Sequence, residues 1–167
     1  MATVTFKGAT FNTSGAIPTV GAGLPPFELI QTNLSEVTLH NFSGKKKIIN
    51  IFPSVDTAVC AMSVRRFNEE AASLKNVVVL NVSADLPFAH RRFCGAEGIE
   101  HSKSLSAFRS TFGKDYGVEM IEGPLKGMFA RVVIVTDEFN RIVYVDLVSE
   151  IGQEPSYENA LKAVVQP

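Results

Sequence analysis

The most regular hydrophobic pattern lies in the centre of the chain. Residues 47–52 form an apolar run of strand length, which is typical of a strand buried on both faces. From Thr57 onwards the apolar residues fall near one helical stripe, and residues 77–85 predict a second buried strand. A second helix is predicted to follow that strand. It would begin at Pro87, since proline suits a first helical position.

The second half of the chain completes the order of elements. Residues 105–116 predict a helical piece, residues 130–148 predict two strands joined through Asp137 to Asn140, and residues 156–165 predict a terminal helix. Strand–helix–strand–helix, then a hairpin and a helix, indicates an α/β protein of thioredoxin-like fold. In that fold a central mixed β-sheet is flanked by helices.

The N-terminal part of the chain has a different pattern. The segment TVTFKGATFNT alternates around Gly8 and predicts a small β-hairpin, and a Gly/Pro-rich loop follows up to Pro25 and Pro26. Residues 27–31 and 36–40 predict two further short strands. We therefore predict one domain over residues 1–167, with residues 1–26 as a hairpin-and-loop extension.

Charge and hydropathy narrow the possible partners. A formal net charge of -1 gives no electrostatic reason to expect nucleic acid or an acidic membrane surface as a partner. The basic run Lys45–Lys47 is interpreted as the solvated start of a strand. The N-terminus does not resemble a secretory signal, and the long uncharged stretch 8–27 is too polar for a membrane span. We expect a cytoplasmic protein.

The chain contains two cysteines, Cys60 and Cys94. In a reducing compartment they are not expected to form a structural disulfide, and they are too few for a zinc site. The three histidines show no ligand spacing with them. The sequence therefore predicts neither a metal nor a cofactor.

Cys60 is predicted to lie in or near the first turn of a helix that follows a buried strand. The free N–H groups and the positive end of the helix dipole favour a thiolate there. Pro53 could shield the sulfur from water, and Thr57 lies one turn away, where its hydroxyl could face the sulfur or a bound oxygen. The alternative is that Thr57 or Asp56 only caps the helix while Cys60 packs as a small apolar residue.

The spacing Pro53-x-x-x-Thr57-x-x-Cys60 resembles the active-site motif of peroxiredoxins, in which a cysteine attacks a hydroperoxide. The wider sequence resembles the bacterial thiol peroxidases, which are atypical two-cysteine peroxiredoxins, over essentially the whole chain. The segments that carry this resemblance are NIFPSVDTAVCAMSVRRFN, SADLPFAHRRFCGAEG and GPLKGMFARVVIVTDE.

The resemblance implies an antioxidant enzyme that reduces hydrogen peroxide and, preferentially, alkyl hydroperoxides. Cys60 would be the peroxidatic nucleophile and would become a sulfenic acid. Thr57 and backbone amides would hold the peroxide, Pro53 would shield it, and Arg131 would stabilise the thiolate. The alternative for Arg131 is a strand-end arginine whose charged group reaches solvent.

Cys94 would be the resolving cysteine by the same resemblance. It would form an intramolecular disulfide with Cys60, and thioredoxin would then reduce that disulfide. The alternative is a buried structural thiol. Because a disulfide needs Cα atoms within about 7 Å, we predict that the reduced form holds the two sulfurs apart and that both segments rearrange on oxidation.

The resemblance also implies a homodimer and an apolar collar around the site. Several collar candidates could instead be core residues. The candidates are Phe52, Phe88, Phe93, Leu125, Met128 and Phe129.

Two rival functions use the same fold. A thiol–disulfide exchanger would fit the C-x-x-S spacing of Cys60 and Ser63. Such exchangers need a proline just before the strand that faces the cysteine, and here that place holds Ala130 and Arg131. A non-catalytic binding module would leave Thr57, Arg131 and the second cysteine without a reason.

Overall fold

The strands and helices follow the predicted alternation. The structure, a computed structural model, describes residues 1–166, so that Pro167, the last residue of the predicted domain, lies outside the described residues. The strands are β1 (Thr3–Phe6), β2 (Ala9–Asn12), β3 (Glu28–Gln31), β4 (Glu36–Thr38), β5 (Lys46–Ile51), β6 (Val77–Ser83), β7 (Lys103–Ser106), β8 (Val132–Thr136) and β9 (Ile142–Leu147). The helices are α1 (Ala58–Ala71), α2 (Pro87–Glu97), α3 (Phe112–Asp115) and α4 (Tyr157–Val165), with a 3₁₀ turn at Leu39–Phe42.

A seven-stranded mixed sheet carries the fold, in the order β4-β3-β7-β6-β5-β8-β9. Strand β5 is parallel to β6 and antiparallel to β8, and β6 is parallel to β7. The carboxyl ends of parallel strands meet at one edge of a sheet. The segments that lead from β5 into α1 and from β6 into α2 therefore lie side by side.

Alternate residues of β5 face opposite sides of the sheet, and both sides are covered. Ile48 packs in one apolar cluster with Phe67 of α1 and Ala160 of α4. Ile49 packs in the main cluster on the other side, together with Phe112 of α3. The predicted mixed sheet flanked by helices is confirmed.

The N-terminal hairpin is also confirmed, as the antiparallel pair β1–β2. Val4 is buried in the main core cluster. Thr5 donates its N–H to the carbonyl of Ser149 at 2.7 Å, and its own carbonyl accepts from the N–H of Ile151 at 3.0 Å. The hairpin therefore braces the chain that follows β9.

The helical prediction for residues 105–116 is wrong at its start. Residues 103–106 form β7, and the helix is limited to Phe112–Asp115. Two of the four residues of β7 are serines, so the segment lacks the run of apolar residues that marks a buried strand. Leu105 alone supplies its apolar contact, and that side chain is fully buried in the main cluster.

The basic run is solvated only in part. Lys47 is completely buried, because it lies in β5 between β6 and β8. Its Nζ donates to the carbonyl of Lys45 at 2.8 Å and to Oδ1 of Asn140 at 2.6 Å. Burial lowers the pKa of Lys47, and the nearby Asp137 carboxylate opposes that effect. The prediction of a solvated triplet is therefore wrong for Lys47.

Candidate active site

Cys60 lies in the first turn of α1, as predicted, and its side chain is fully buried. Thr57 is the N-cap residue of this helix, with extended backbone. Its Oγ1 accepts from the N–H of Cys60 at 3.4 Å and donates to the carbonyl of Ser54 at 3.2 Å. The capping role that the sequence left open is thus present at Thr57. Because Thr57 is also exposed, its hydroxyl remains reachable from solvent.

Arg131 approaches the sulfur of Cys60 from the strand side of the site. It directly precedes β8, it is 1% exposed, and its Nη2 donates to Cys60 Sγ at 3.3 Å. Its Nε donates to the carbonyl of Ile151 at 3.0 Å. The alternative of an arginine that reaches solvent is therefore wrong. Arginine stays protonated in proteins, so a permanent cation sits beside the buried sulfur.

One guanidinium nitrogen is left over. Among residues 1–166, Nη1 of Arg131 is buried and has no hydrogen-bond partner. A buried donor without a partner costs free energy, and such groups often face a ligand site. The guanidinium therefore has a free donor for an oxygen of a molecule bound beside Cys60.

Pro53 and its neighbours line the loop between β5 and α1. Pro53 is buried, as are Phe52 before it and Val55 after it. Phe52 and Val55 belong to an apolar cluster that includes Cys60 and Phe93 of α2. The loop thus encloses the thiol in apolar surroundings, and the shielding role of Pro53 stays a prediction.

Cys94 lies near the end of α2 and is half-buried. Its Sγ donates to Oγ of Ser104 at 3.1 Å. Burial raises the pKa of the Cys94 thiol, and the Ser104 hydrogen bond opposes that effect. Its carbonyl accepts from the N–H groups of Gly98 and Ile99, where Gly98 ends the helix in a left-handed conformation. Cys94 therefore belongs to the last turn, the part of a helix that opens most easily.

The two cysteines border the same apolar cluster from different helices. Cys60 is a member of that cluster and Cys94 packs against it. Both thiols are free, and their polar partners differ: Arg131 for Cys60 and Ser104 for Cys94. The fold therefore brings the two predicted cysteines and Arg131 into one region, with the helices intact.

A row of polar side chains crosses the sheet beneath α1 and α2. Asn50 pairs in register with Asn81 of β6, and Asn81 pairs with Ser104 of β7. The Nδ2 of Asn50 donates to Oδ1 of Asn81 at 3.0 Å and to Oγ of Ser63 on α1 at 3.2 Å. Since Ser104 accepts from Cys94, both cysteine-bearing helices rest partly on polar positions.

The six collar candidates have different surroundings. Phe52 and Phe93 lie in the cluster around Cys60, whereas Phe129 is buried in the main core cluster. Phe88 and Met128 are exposed. The sixth, Leu125, packs against the main core cluster.

The sequence did not reveal the acidic residue that contacts this loop. Asp85 accepts hydrogen bonds from Ser54 and from the backbone of Val55. One signal could have found it: an acidic residue two positions after β6, the parallel neighbour of β5, lies near the end of β5. The carbonyl of Ile151 was also missed, and no sequence signal marks it, because any residue supplies a carbonyl.

The described part of the chain, residues 1–166, has neither a metal-binding cluster nor a membrane-spanning helix. No group of three or more His, Cys, Asp and Glu side chains there could hold a metal ion. No helix in that range is both long and apolar enough to cross a membrane.

Comparisons of the sequence with known proteins point to one family. The model of the Redoxin family matches residues 19–161. A thiol peroxidase of Corynebacterium glutamicum is 55% identical over 164 residues, covering 98% of this chain and 99% of the relative. A thiol peroxidase of Mycobacterium bovis is 49% identical with the same coverage.

Solved structures give the same result for the fold. The crystal structure of a peroxiredoxin-like protein from Aquifex aeolicus superimposes with a TM-score of 0.93 at 36% identity, covering 97% of this chain and 95% of the other. A thiol peroxidase from Chromobacterium violaceum has a TM-score of 0.89 at 24% identity, over 96% and 93% of the two chains, which supports the fold alone. The chain therefore belongs to the redoxin family, in its thiol peroxidase branch, and it is a peroxidase of the peroxiredoxin type.

Proposed function

We propose that Cys60 is the nucleophile that reduces hydroperoxides. The observation that carries this proposal is the buried contact between Nη2 of Arg131 and Cys60 Sγ, at 3.3 Å. A permanent cation beside a buried sulfur favours the thiolate, because charges interact more strongly where water is excluded. The start of α1 adds the positive end of a helix dipole. The thiolate, and not the thiol, is the attacking form of cysteine.

The proposed first step transfers one oxygen atom. The sulfur electron pair of Cys60 attacks the terminal oxygen of R–O–O–H, so an S–O bond forms as the O–O bond breaks. Cys60 becomes a sulfenic acid, and the leaving oxygen takes a proton and departs as an alcohol or water. Sulfur is oxidised by two electrons and the peroxide is reduced by two.

The donors around Cys60 suit the charge that develops in this step. The leaving oxygen gains negative charge as the O–O bond lengthens, and fixed donors stabilise such charge best in a dry site. Nη1 of Arg131 is the unpartnered donor. The hydroxyl of Thr57 already donates to the carbonyl of Ser54, so its oxygen would instead accept from the O–H of the peroxide. The buried Pro53 would keep water from the thiolate.

Cys94 is the proposed resolving cysteine. Its sulfur attacks the sulfenic sulfur of Cys60, the S–S bond forms, and the hydroxyl leaves as water. Each sulfur lies in an intact helix with its own polar partner, so we expect α2 to open near its end before the disulfide forms. Hydrogen exchange at α2 should be faster in the oxidised form, whereas equal protection would contradict this step.

The substrate class we propose is alkyl hydroperoxides ahead of hydrogen peroxide. Phe52, Val55 and Phe93 supply apolar surface in the cluster that holds Cys60. Apolar surface favours an alkyl group over a small polar peroxide because contact with that group removes it from water.

Thioredoxin is the reductant we propose for the disulfide. A thiolate of thioredoxin would attack one sulfur and displace the other, which forms a mixed disulfide. A second thiol of thioredoxin would then attack that mixed disulfide, so that thioredoxin becomes the disulfide and both cysteines of this chain are reduced. We also propose that two chains form a homodimer and that the protein is cytoplasmic. The small number of cysteines agrees with a reducing compartment.

Stopped-flow mixing of the reduced protein with cumene hydroperoxide tests the role of Cys60. We expect oxidation at least about a hundredfold faster than for free cysteine, since preorganised charge supplies factors of that size. The matched variants are Cys60→Ser and Cys94→Ser, and only the first should abolish the fast phase. A fast phase that survives in Cys60→Ser would overturn the proposal.

A further inference from the structure

Asp85 holds the loop between β5 and α1 through both oxygens of its carboxylate. Oδ1 accepts from Oγ of Ser54 at 2.7 Å. Oδ2 accepts from the N–H of Val55 at 2.9 Å and from Oγ of Ser83 at 2.6 Å. Hydrogen bonds to an ionised acceptor are roughly twice as strong as neutral ones. Asp85 is therefore the main polar anchor of a loop that has few backbone hydrogen bonds of its own.

The hydrogen bonds continue from Asp85 to Cys60. The carbonyl of Ser54 accepts from the N–H of Thr57 at 3.3 Å and from its Oγ1 at 3.2 Å. The same Oγ1 accepts from the N–H of Cys60 at 3.4 Å. Hydrogen bonds thus connect Asp85 to Ser54, Ser54 to Thr57, and Thr57 to the N–H of Cys60.

His90 contacts Ser83, the serine that donates to Asp85. Ser83 Oγ has one proton, which it donates to Asp85, so its 3.0 Å contact with Nε2 of His90 requires the histidine to donate. His90 is fully buried, and burial lowers its pKa although the nearby Asp85 charge opposes this. The ring is therefore neutral with its proton on Nε2. It also packs edge-to-face on Phe52, at 6.4 Å between ring centroids.

A second carboxylate, on Asp56, lies in the same loop but differs in its surroundings. Asp56 forms an ion pair with Arg92 of α2, and both side chains are more than half exposed. Exposed ion pairs contribute little to the stability of the folded state, typically below about 1 kcal/mol. Asp56 is therefore a natural comparison for Asp85: one carboxylate faces solvent and the other is enclosed by donors.

We infer that Asp85 is a positioning residue for peroxide reduction, which rests on the proposed role of Cys60. Its carboxylate holds Ser54 and Val55 so that the hydroxyl of Thr57 and the start of α1 face the same point as the sulfur. Misplacing such groups by about 1 Å can cost about a hundredfold in rate. Asp85 does not touch the peroxide in this scheme and acts through the loop.

The test compares two reactions of Cys60, with Cys94→Ser as the common background so that one thiol reacts. Oxidation by cumene hydroperoxide needs the positioned donors, whereas alkylation by iodoacetamide needs an accessible thiolate only. In Asp85→Ala we expect oxidation to fall by about ten- to a hundredfold and alkylation to change by less than about threefold. Asp56→Asn, the control, should change both rates by less than about twofold.

Two further variants test the same inference if Asp85→Ala does not fold. Asp85→Asn keeps an acceptor oxygen for Val55 and an amide for Ser54, so its oxidation rate should lie between those of the parent and Asp85→Ala. Ser54→Ala removes one of the contacts and should also slow oxidation more than alkylation.

Three results decide the matter. Selective loss of oxidation in folded Asp85 or Ser54 variants supports the inference. Oxidation within about twofold of the parent, or equal losses in both reactions, overturns it. Peroxidase activity in Cys60→Ser would instead contradict the proposed role of Cys60. This variant is therefore measured before any Asp85 variant.

Discussion

Cys60 and Cys94 border one apolar cluster, yet their sulfurs have opposite surroundings. Cys60 is fully buried in the first turn of α1, with the guanidinium of Arg131 at 3.3 Å. Cys94 is half-buried in the last turn of α2, with the neutral hydroxyl of Ser104 at 3.1 Å. The more enclosed thiol is the one beside a cation, and within residues 1–166 the hydrogen-bond partner of the more accessible thiol is a neutral hydroxyl.

This contrast shows that the solvent access of a thiol and its tendency to ionise depend on different features of the structure. Burial alone favours the neutral thiol, and that is the effect on Cys94, where it raises the pKa. At Cys60 a buried cation and a helix start act in the opposite direction. The difference teaches that burial and the placement of charge act separately on the two thiols. Under the proposed roles, the cation lies beside the thiol that reacts first, and burial favours the neutral form of the thiol that reacts second.

Removal of Cys94 should give the largest effect on turnover. In Cys94→Ser, thioredoxin-dependent turnover should be lost while the first oxidation of Cys60 stays within about twofold, because the two thiols have separate partners. A coupled thioredoxin assay and single-turnover kinetics measure the two quantities. Mass spectrometry should detect sulfinic acid at Cys60 with excess peroxide. Normal turnover of this variant would contradict the division of roles.

Removal of the Arg131 charge should give the next effect. In Arg131→Met, oxidation of Cys60 should slow by about a hundred- to a thousandfold, as for the loss of one preorganised donor at a reacting oxygen. Stopped-flow oxidation measures this, with circular dichroism to verify folding. Arg141→Met, at an exposed arginine, is the matched control. An unchanged rate in folded Arg131→Met would show that the cation is not what distinguishes the two thiols.

Removal of the Ser104 hydroxyl should give the smallest effect. Once Cys94 ionises, this hydroxyl can rotate and donate to the sulfur, which is why its hydrogen bond lowers the pKa against the effect of burial. In a Cys60→Ser background, Ser104→Ala should shift the alkylation profile of Cys94 to higher pH and slow alkylation about threefold at neutral pH. Ser73→Ala, at an exposed serine two residues after α1 ends, is the control. A shift to lower pH would contradict the assignment.

The parts of the fold that sequence could predict are those with a local signal. The apolar run of β5, the capped start of α1 at Thr57 and the proline that begins α2 each carry such a signal. Strand β7 has two serines and one buried leucine, so it gave no periodic signal. Lys47 was misjudged because it is buried between β6 and β8, and its hydrogen-bond acceptor Asn140 also lies far along the chain.

The candidate site divides in the same way. Cys60, Thr57 and Pro53 are close in sequence, and their arrangement follows from the short loop between β5 and α1 and the first turn of α1. The contact of Arg131 with Cys60 joins residues 71 positions apart, and only the resemblance to peroxiredoxins pointed to it. The anchor at Asp85 required knowledge of which strands are neighbours, which pattern alone does not supply.

The polar row beneath α1 and α2 affects the risk of aggregation when α2 uncoils. If α2 uncoils in every catalytic cycle, the sheet surface that it leaves contains Ser104 and Asn81. Water can hydrate these groups at once, whereas a floor of leucine and valine would present a sticky apolar patch to other copies. The polar side chains of this row would therefore lower the risk of aggregation each time α2 opens.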